Sequence, residues 1–65
     1  MAIFNDWEYL NRLTAGQTAV DRGEWRIAFD CFKDCKAYLI REQPWNDKEI
    51  NRLEYLIKLC NDMFK

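Results

Sequence analysis

The chain has 65 residues, of which 49% are hydrophobic and 32% are charged, and its formal net charge is -1. This length supports one domain, and the composition is that of a globular protein rather than a disordered one. Since 10 basic residues nearly balance 11 acidic ones, the charge favours neither a nucleic acid nor an acidic membrane surface as the partner. We predict one domain over residues 1–65.

The residue types that many enzymes need are missing. The chain contains neither histidine nor serine, which excludes serine–histidine triads, cysteine–histidine pairs and HExxH zinc sites. Only two glycines are present, so no glycine-rich loop can cradle a phosphate group. We therefore predict a protein that is not an enzyme and that carries no cofactor and no metal.

The sequence also predicts a cytoplasmic protein that makes no membrane contact. No apolar run is long enough to span a bilayer, and the first residues lack the pattern of a signal peptide. Cys31, Cys35 and Cys60 are expected to be reduced, metal-free residues of the core. A zinc site built from the three thiolates and a carboxylate is the alternative, although the CxxC spacing that structural zinc prefers is absent.

The first predicted helix, helix A, covers about residues 5–22. Asn5 precedes Glu8 by three residues, which is the spacing of a capping box at a helix start. Gly23 is expected to end the helix, because glycine adopts the left-handed conformation without a steric penalty. Trp7 is placed at the edge of the face that packs on the core. That face is expected to contain Ile3, Leu10, Leu13 and Val20.

The second predicted helix, helix B, covers about residues 24–42, and Pro44 prevents its continuation. Its apolar residues form a stripe at helical spacing, with further apolar residues on both sides. An apolar arc of this width indicates contact with two neighbours, so helix B should be the central helix. The stripe consists of Ala28, Phe32, Cys35 and Leu39.

The third predicted helix, helix C, covers about residues 47–64. Asn46 and Glu49 repeat the capping-box spacing, and Trp45 and Ile50 are placed to form a hydrophobic staple across the helix start. No segment alternates apolar and polar residues as a strand does. We therefore predict an all-α fold of three antiparallel helices. The core face of helix C is expected to contain Ile50, Leu53, Ile57, Cys60 and Phe64.

A second side of helix C is also apolar. One side of a terminal helix in a three-helix domain normally faces water, so these residues are either covered by helix A or left exposed. An exposed apolar patch of this kind usually marks a partner surface. The second side consists of Tyr55, Leu56, Leu59 and Met63.

The hairpin of helices A and B resembles a tetratricopeptide repeat. Gly16, Ala28 and Phe32 match small, small and aromatic positions of that repeat, and Gly23-Glu24-Trp25 is similar to its turn. The resemblance covers about half of the chain and implies a close approach of Gly16 and Ala28, with helix C as a C-terminal capping helix. The chain departs from the repeat at Arg12, Ala15 and Ala19, and at Ile40, where the repeat has its closing proline.

We predict that the protein acts by binding another protein. Three tryptophans and three tyrosines occur in the chain, and these residue types are enriched at interface hot spots. The expected function is a small, non-enzymatic protein–protein interaction module, an adaptor or inhibitor that docks on a larger protein. A virus-encoded antagonist of a host protein would fit this description. The expected binding residues are Tyr55, Leu56, Leu59, Met63 and Trp7.

Two alternatives stay open at this point. The first is a homo-oligomeric structural subunit, such as a homodimer, in which helix C binds itself. The second is a nucleic-acid-associated regulator that uses basic residues of helix B. Asp30 and Asp34 interrupt this basic set, which disfavours contact with phosphate groups. The basic set consists of Arg22, Arg26, Lys33 and Lys36.

Overall fold

The computed structural model describes residues 5–64, and this part of the chain is all-α. Helix α1 covers Asp6–Asp21, α2 covers Trp25–Glu42 and α3 covers Asp47–Met63. No strand occurs between residues 5 and 64. The three predicted helices are confirmed, and each predicted end lies within one residue of the observed end.

The two predicted capping boxes have different outcomes at their asparagines. Asn5 has an extended backbone, and its side-chain oxygen accepts a hydrogen bond from the Glu8 backbone N–H at 2.9 Å. Asn46 makes no such bond, because its backbone is not extended and its side-chain amide donates to Gln43 Oε1 at 3.2 Å instead. The hydrophobic staple predicted for Trp45 is wrong, since this side chain is 75% exposed. Side-chain capping therefore stabilises the start of α1 but not that of α3.

The difference between the two asparagines gives a matched pair of substitutions. Asn5→Ala should lower the free energy of unfolding by about 1 kcal/mol, because it leaves the Glu8 N–H without its acceptor. Asn46→Ala should cost less, because it removes no capping bond. Urea unfolding followed by circular dichroism measures both. Equal losses in the two variants would contradict the observed difference in capping.

The turn between α1 and α2 depends on Gly23, whose φ of 74° is in the left-handed region. Its N–H donates to the Val20 carbonyl at 3.0 Å, and the Glu24 N–H donates to the Ala19 carbonyl at 2.8 Å. These two bonds are those of a Schellman motif. Gly23 therefore ends α1, as the sequence predicted.

Helix α2 is the central helix. Helices α1 and α3 each pack along α2 and make few contacts with each other. Contacts such as Gly16 with Phe32 and Lys36 with Glu54 join each outer helix to α2. The predicted stripe of α2 is confirmed as the centre of the core. The buried cluster consists of Ala19, Ala28, Phe32, Cys35, Tyr38, Leu39, Leu53 and Cys60.

The predicted core face of α1 is wrong in part. Leu10 is exposed, and Leu13 and Val20 are only half-buried. The buried residues of α1 are Gly16 and Ala19, because the helix approaches α2 along its smallest side chains. Ile3 lies outside the described residues.

The small residue Gly16 lies against an aromatic ring. A Cβ added to Gly16 would lie 2.7 Å from Phe32 Cε1, and its three nearest atoms would all belong to that ring. The atoms nearest to this position therefore belong to Phe32, one helical turn beyond Ala28 on α2. The absence of a side chain at Gly16 leaves the space that the Phe32 ring occupies.

Candidate protein-interaction surface

The second apolar side of α3 is divided between solvent and the core. Tyr55 is 66% exposed, Met63 is 52% exposed and Leu59 is 36% exposed. Leu56 is half-buried and packs against the core cluster. Neither sequence interpretation therefore holds for all four residues, since one of them joins the core and three of them face solvent.

Leu56 also lies at a groove between the two outer helices. The groove has a volume of about 270 Å³, and the Phe32 ring contributes to its lining. Because α1 and α3 make few contacts with each other, this space between them stays open. The lining residues are Gln17, Val20, Asp21, Phe32, Arg52 and Leu56.

The exposed residues of α3 continue the wall of this groove. Arg52 and Leu56 line the groove, and Leu59 and Met63 follow them at spacings of three and four residues. Residues spaced in this way lie on one stripe of a helix. Leu59 and Met63 therefore extend the α3 wall beyond the groove. Tyr55, one turn before Leu59, lies on the side of α3 that faces away from the groove.

Trp7 lies on the opposite wall, at the far end of α1. Trp7, Leu10, Gln17 and Asp21 share one stripe of α1, and the last two of these line the groove. Trp7 is 71% exposed. The start of α1 lies beside the end of α2, whereas the end of α3 lies beside the start of α2. The structure therefore does not bring Trp7 together with Leu59 and Met63.

A hydrogen bond holds the start of α1 against the end of α2. The Tyr38 hydroxyl donates to the Asp6 carboxylate, and the Tyr38 ring lies 5.4 Å from the Tyr9 ring. The hydrogen bond to Asp6, together with burial, raises the pKa of Tyr38 to about 12. This contact fixes the turn of α1 that carries Trp7. No local pattern in the sequence indicates this bond, because its two residues lie 32 positions apart.

The three cysteines are buried, as predicted. Burial and the neighbouring Cys31 raise the pKa of Cys35 to about 12, and burial raises the pKa of Cys60. The Cys35 thiol lies 3.8 Å from the Tyr9 carbonyl, to which it can donate a weak hydrogen bond. Raised pKa values and burial disfavour the thiolate, which is the nucleophilic form. Between residues 5 and 64, no group of three or more acidic residues and cysteines is placed to hold a metal ion.

The raised pKa values predict that the folded state loses stability in alkali. The ordinary pKa values are 9.0 for Cys35 and 10.0 for Tyr38, and both are raised to about 12 in the folded state. The folded state favours the neutral forms of both side chains. Their contribution to the free energy of unfolding is therefore complete below the ordinary pKa values and is lost as the pH rises towards about 12. Urea unfolding across this pH range measures the loss. Tyr38→Phe should remove the part of the loss due to Tyr38 and keep the parts due to Cys35, Cys60 and Tyr9, whose pKa values burial also raises.

Comparison with family models, curated proteins and solved structures finds no match to this chain. Among the described helices, none is both long enough and apolar enough to cross a membrane. The surface is therefore interpreted from its own residues.

Proposed function

We propose that the protein is a small, non-enzymatic protein–protein interaction module of the cytoplasm. It acts as an adaptor or inhibitor by docking α3 on a larger protein. The observation that supports this function is the exposure of Tyr55, Leu59 and Met63 beside a core that is complete without them. Solvent-facing apolar residues on one side of a helix are typical of a partner surface.

The size of the molecular surface is compatible with a monomer that has a separate docking site. The accessible surface is 4577 Å², and a compact monomer of 7.9 kDa is expected to expose about 4,400 Å². A standard interface buries about 800 Å² of each partner. That area is about one-sixth of this surface, so the exposed side of α3 and its surroundings can supply it.

The contacts of α2 favour protein binding over nucleic-acid binding. Lys36 forms an ion pair with Glu54 at 3.3 Å, and the Lys33 ammonium lies 5.1 Å from the centre of the Phe29 ring. Arg22 also lies 4.0 Å from Glu24, so three of the four basic residues that the sequence offered for phosphate contact are engaged within the domain. Nucleic-acid association stays the weaker proposal.

We also propose that α1 and α2 have the architecture of a tetratricopeptide hairpin, and we propose no function on that basis. The contact between Gly16 and Phe32 and the complete burial of Ala28 support it, since these are the three matched positions. Helix α3 would then be the capping helix. This proposal adds no partner and no binding residue to those already named.

A charged double substitution tests the proposed surface. Tyr55→Glu with Leu59→Glu should abolish association with the protein's partner or with itself, because it places two carboxylates on the apolar side of α3. The fold should persist by circular dichroism, since both side chains are exposed. The matched control is Ile27→Glu with Ile40→Glu, which changes two exposed apolar residues of α2.

Two results would contradict the proposed surface. If the double variant unfolds, Tyr55 and Leu59 support the core, and the binding surface must be sought on α1 around Trp7. If the variant stays folded and keeps its partner, the surface is wrong. Pull-down from the native host, with the wild-type chain and both double variants as bait, makes the comparison.

A further inference from the structure

The exposed surface of α3, from the edge of the groove outward, carries a short seam of the kind that pairs two helices. Arg52, Tyr55, Leu59 and Asp62 follow one another at spacings of three, four and three residues. This alternation keeps side chains along one line of contact between two packed helices. All four residues are exposed in the structure. We call these four residues the α3 seam.

The charges of the α3 seam are arranged for pairing with an antiparallel copy. Its first residue, Arg52, is basic, its two central residues, Tyr55 and Leu59, are uncharged, and its last residue, Asp62, is acidic. When two such seams run in opposite directions, Arg52 meets Asp62 of the second copy at both ends. Tyr55 then meets Leu59 of the second copy in both central layers. A parallel pairing would instead place like charges together at both ends.

We propose that a second copy of this chain covers the α3 seam, in a two-fold symmetric, antiparallel pairing of the two α3 helices. The pairing is isologous, so each contact occurs twice. This inference rests on the proposed use of α3 as an interaction surface, and the second copy covers that surface when no larger protein is bound.

The end groups of the seam are available for this pairing. Asp62 forms no ion pair with any other residue between 5 and 64. Arg52 lies 3.9 Å from Glu49 on the same helix, and both side chains are substantially exposed. Exposed pairs of this kind contribute little, so Arg52 can turn to a new carboxylate at small cost.

The seam has four layers, so the dimer should be weak and should depend on concentration. Small interfaces of this kind are transient, and we expect a dissociation constant on the order of 100 µM. The dimer should also weaken as salt is added, because its end contacts are ion pairs near solvent. Sedimentation equilibrium of the purified chain, from about 10 µM to about 1 mM, covers the expected range.

Charge reversal with a restoring double variant tests the antiparallel arrangement. Arg52→Glu alone and Asp62→Arg alone each place like charges together at both ends, and each should raise the dissociation constant about tenfold or more. The double variant Arg52→Glu with Asp62→Arg should return it to nearly the wild-type value. Arg26→Glu and Asp30→Arg, which make the same charge changes on exposed positions of α2, should leave it unchanged.

Three results would overturn the pairing. They are a chain that stays monomeric at the highest concentration, single variants that dimerise like the wild type, and a double variant that does not recover. Folding of each variant is checked by circular dichroism. If the chain stays monomeric while Tyr55→Glu with Leu59→Glu still loses a different protein partner, the second copy is wrong and the proposed interaction surface stands.

Discussion

Phe32→Ala should remove a large part of the free energy of unfolding. Phe32 is completely buried at the centre of the core cluster. Truncating a buried phenylalanine to alanine costs about 3–5 kcal/mol, through lost burial and the cavity left behind. A domain of this length has a total stability of only about 3–10 kcal/mol. The loss is therefore a large fraction of the total stability.

Urea unfolding followed by circular dichroism measures this effect, and Trp45→Ala provides the control. Trp45 is a larger side chain, but it is mostly exposed, so its truncation should change the free energy of unfolding by less than about 0.5 kcal/mol. A Phe32→Ala variant that unfolds cooperatively with a loss below about 1 kcal/mol would show that the core collapses around the missing ring.

The core residues of α2 could be identified from the sequence because this helix packs on two sides. A helix packed on two sides must bury a wide arc, and a wide arc produces a periodic pattern that is visible in one sequence. Ala28, Phe32, Cys35 and Leu39 carry that pattern, and all four are buried. The breaks at Gly23 and Pro44 were equally visible, because both residues act through their own backbone geometry.

The core face of α1 could not be identified in the same way. Its buried residues, Gly16 and Ala19, are small, so the apolar pattern favoured Leu10, which is exposed. Which small residue lies against α2 depends on the size of the side chain opposite, and that information is on another helix. The hydrogen bond from Tyr38 to Asp6 is likewise a property of the packed pair.

The sequence predicted which residues belong to the candidate surface, but it did not predict which of them are exposed. The apolar excess on α3 could be counted from the sequence, but whether α1 covers it depends on the spacing of the two helices. In the structure, Leu56 packs on the core cluster while Tyr55 stays in solvent. Local periodicity contains no information on that spacing.

Gly16→Ala should destabilise the wild-type protein although alanine is the better helix former. Alanine in a helix interior gains about 1 kcal/mol over glycine. The added Cβ would lie 2.7 Å from Phe32 Cε1, and that ring is completely buried in the core cluster. Overpacking of this kind costs about 1–3 kcal/mol, so the clash should outweigh the gain in helix propensity.

Changing the partner ring should reverse the sign of this effect. Phe32→Leu removes the aromatic atoms that an added Cβ would meet, so Gly16→Ala in that background should keep the propensity gain and stabilise the protein by up to about 1 kcal/mol. Urea unfolding of the wild type, the two single variants and the double variant gives the coupling between the two positions, which we expect to be about 1–3 kcal/mol. Additive effects would mean that α1 can shift away from α2 without cost, and the fit of Gly16 against Phe32 would then not determine how closely the two helices pack.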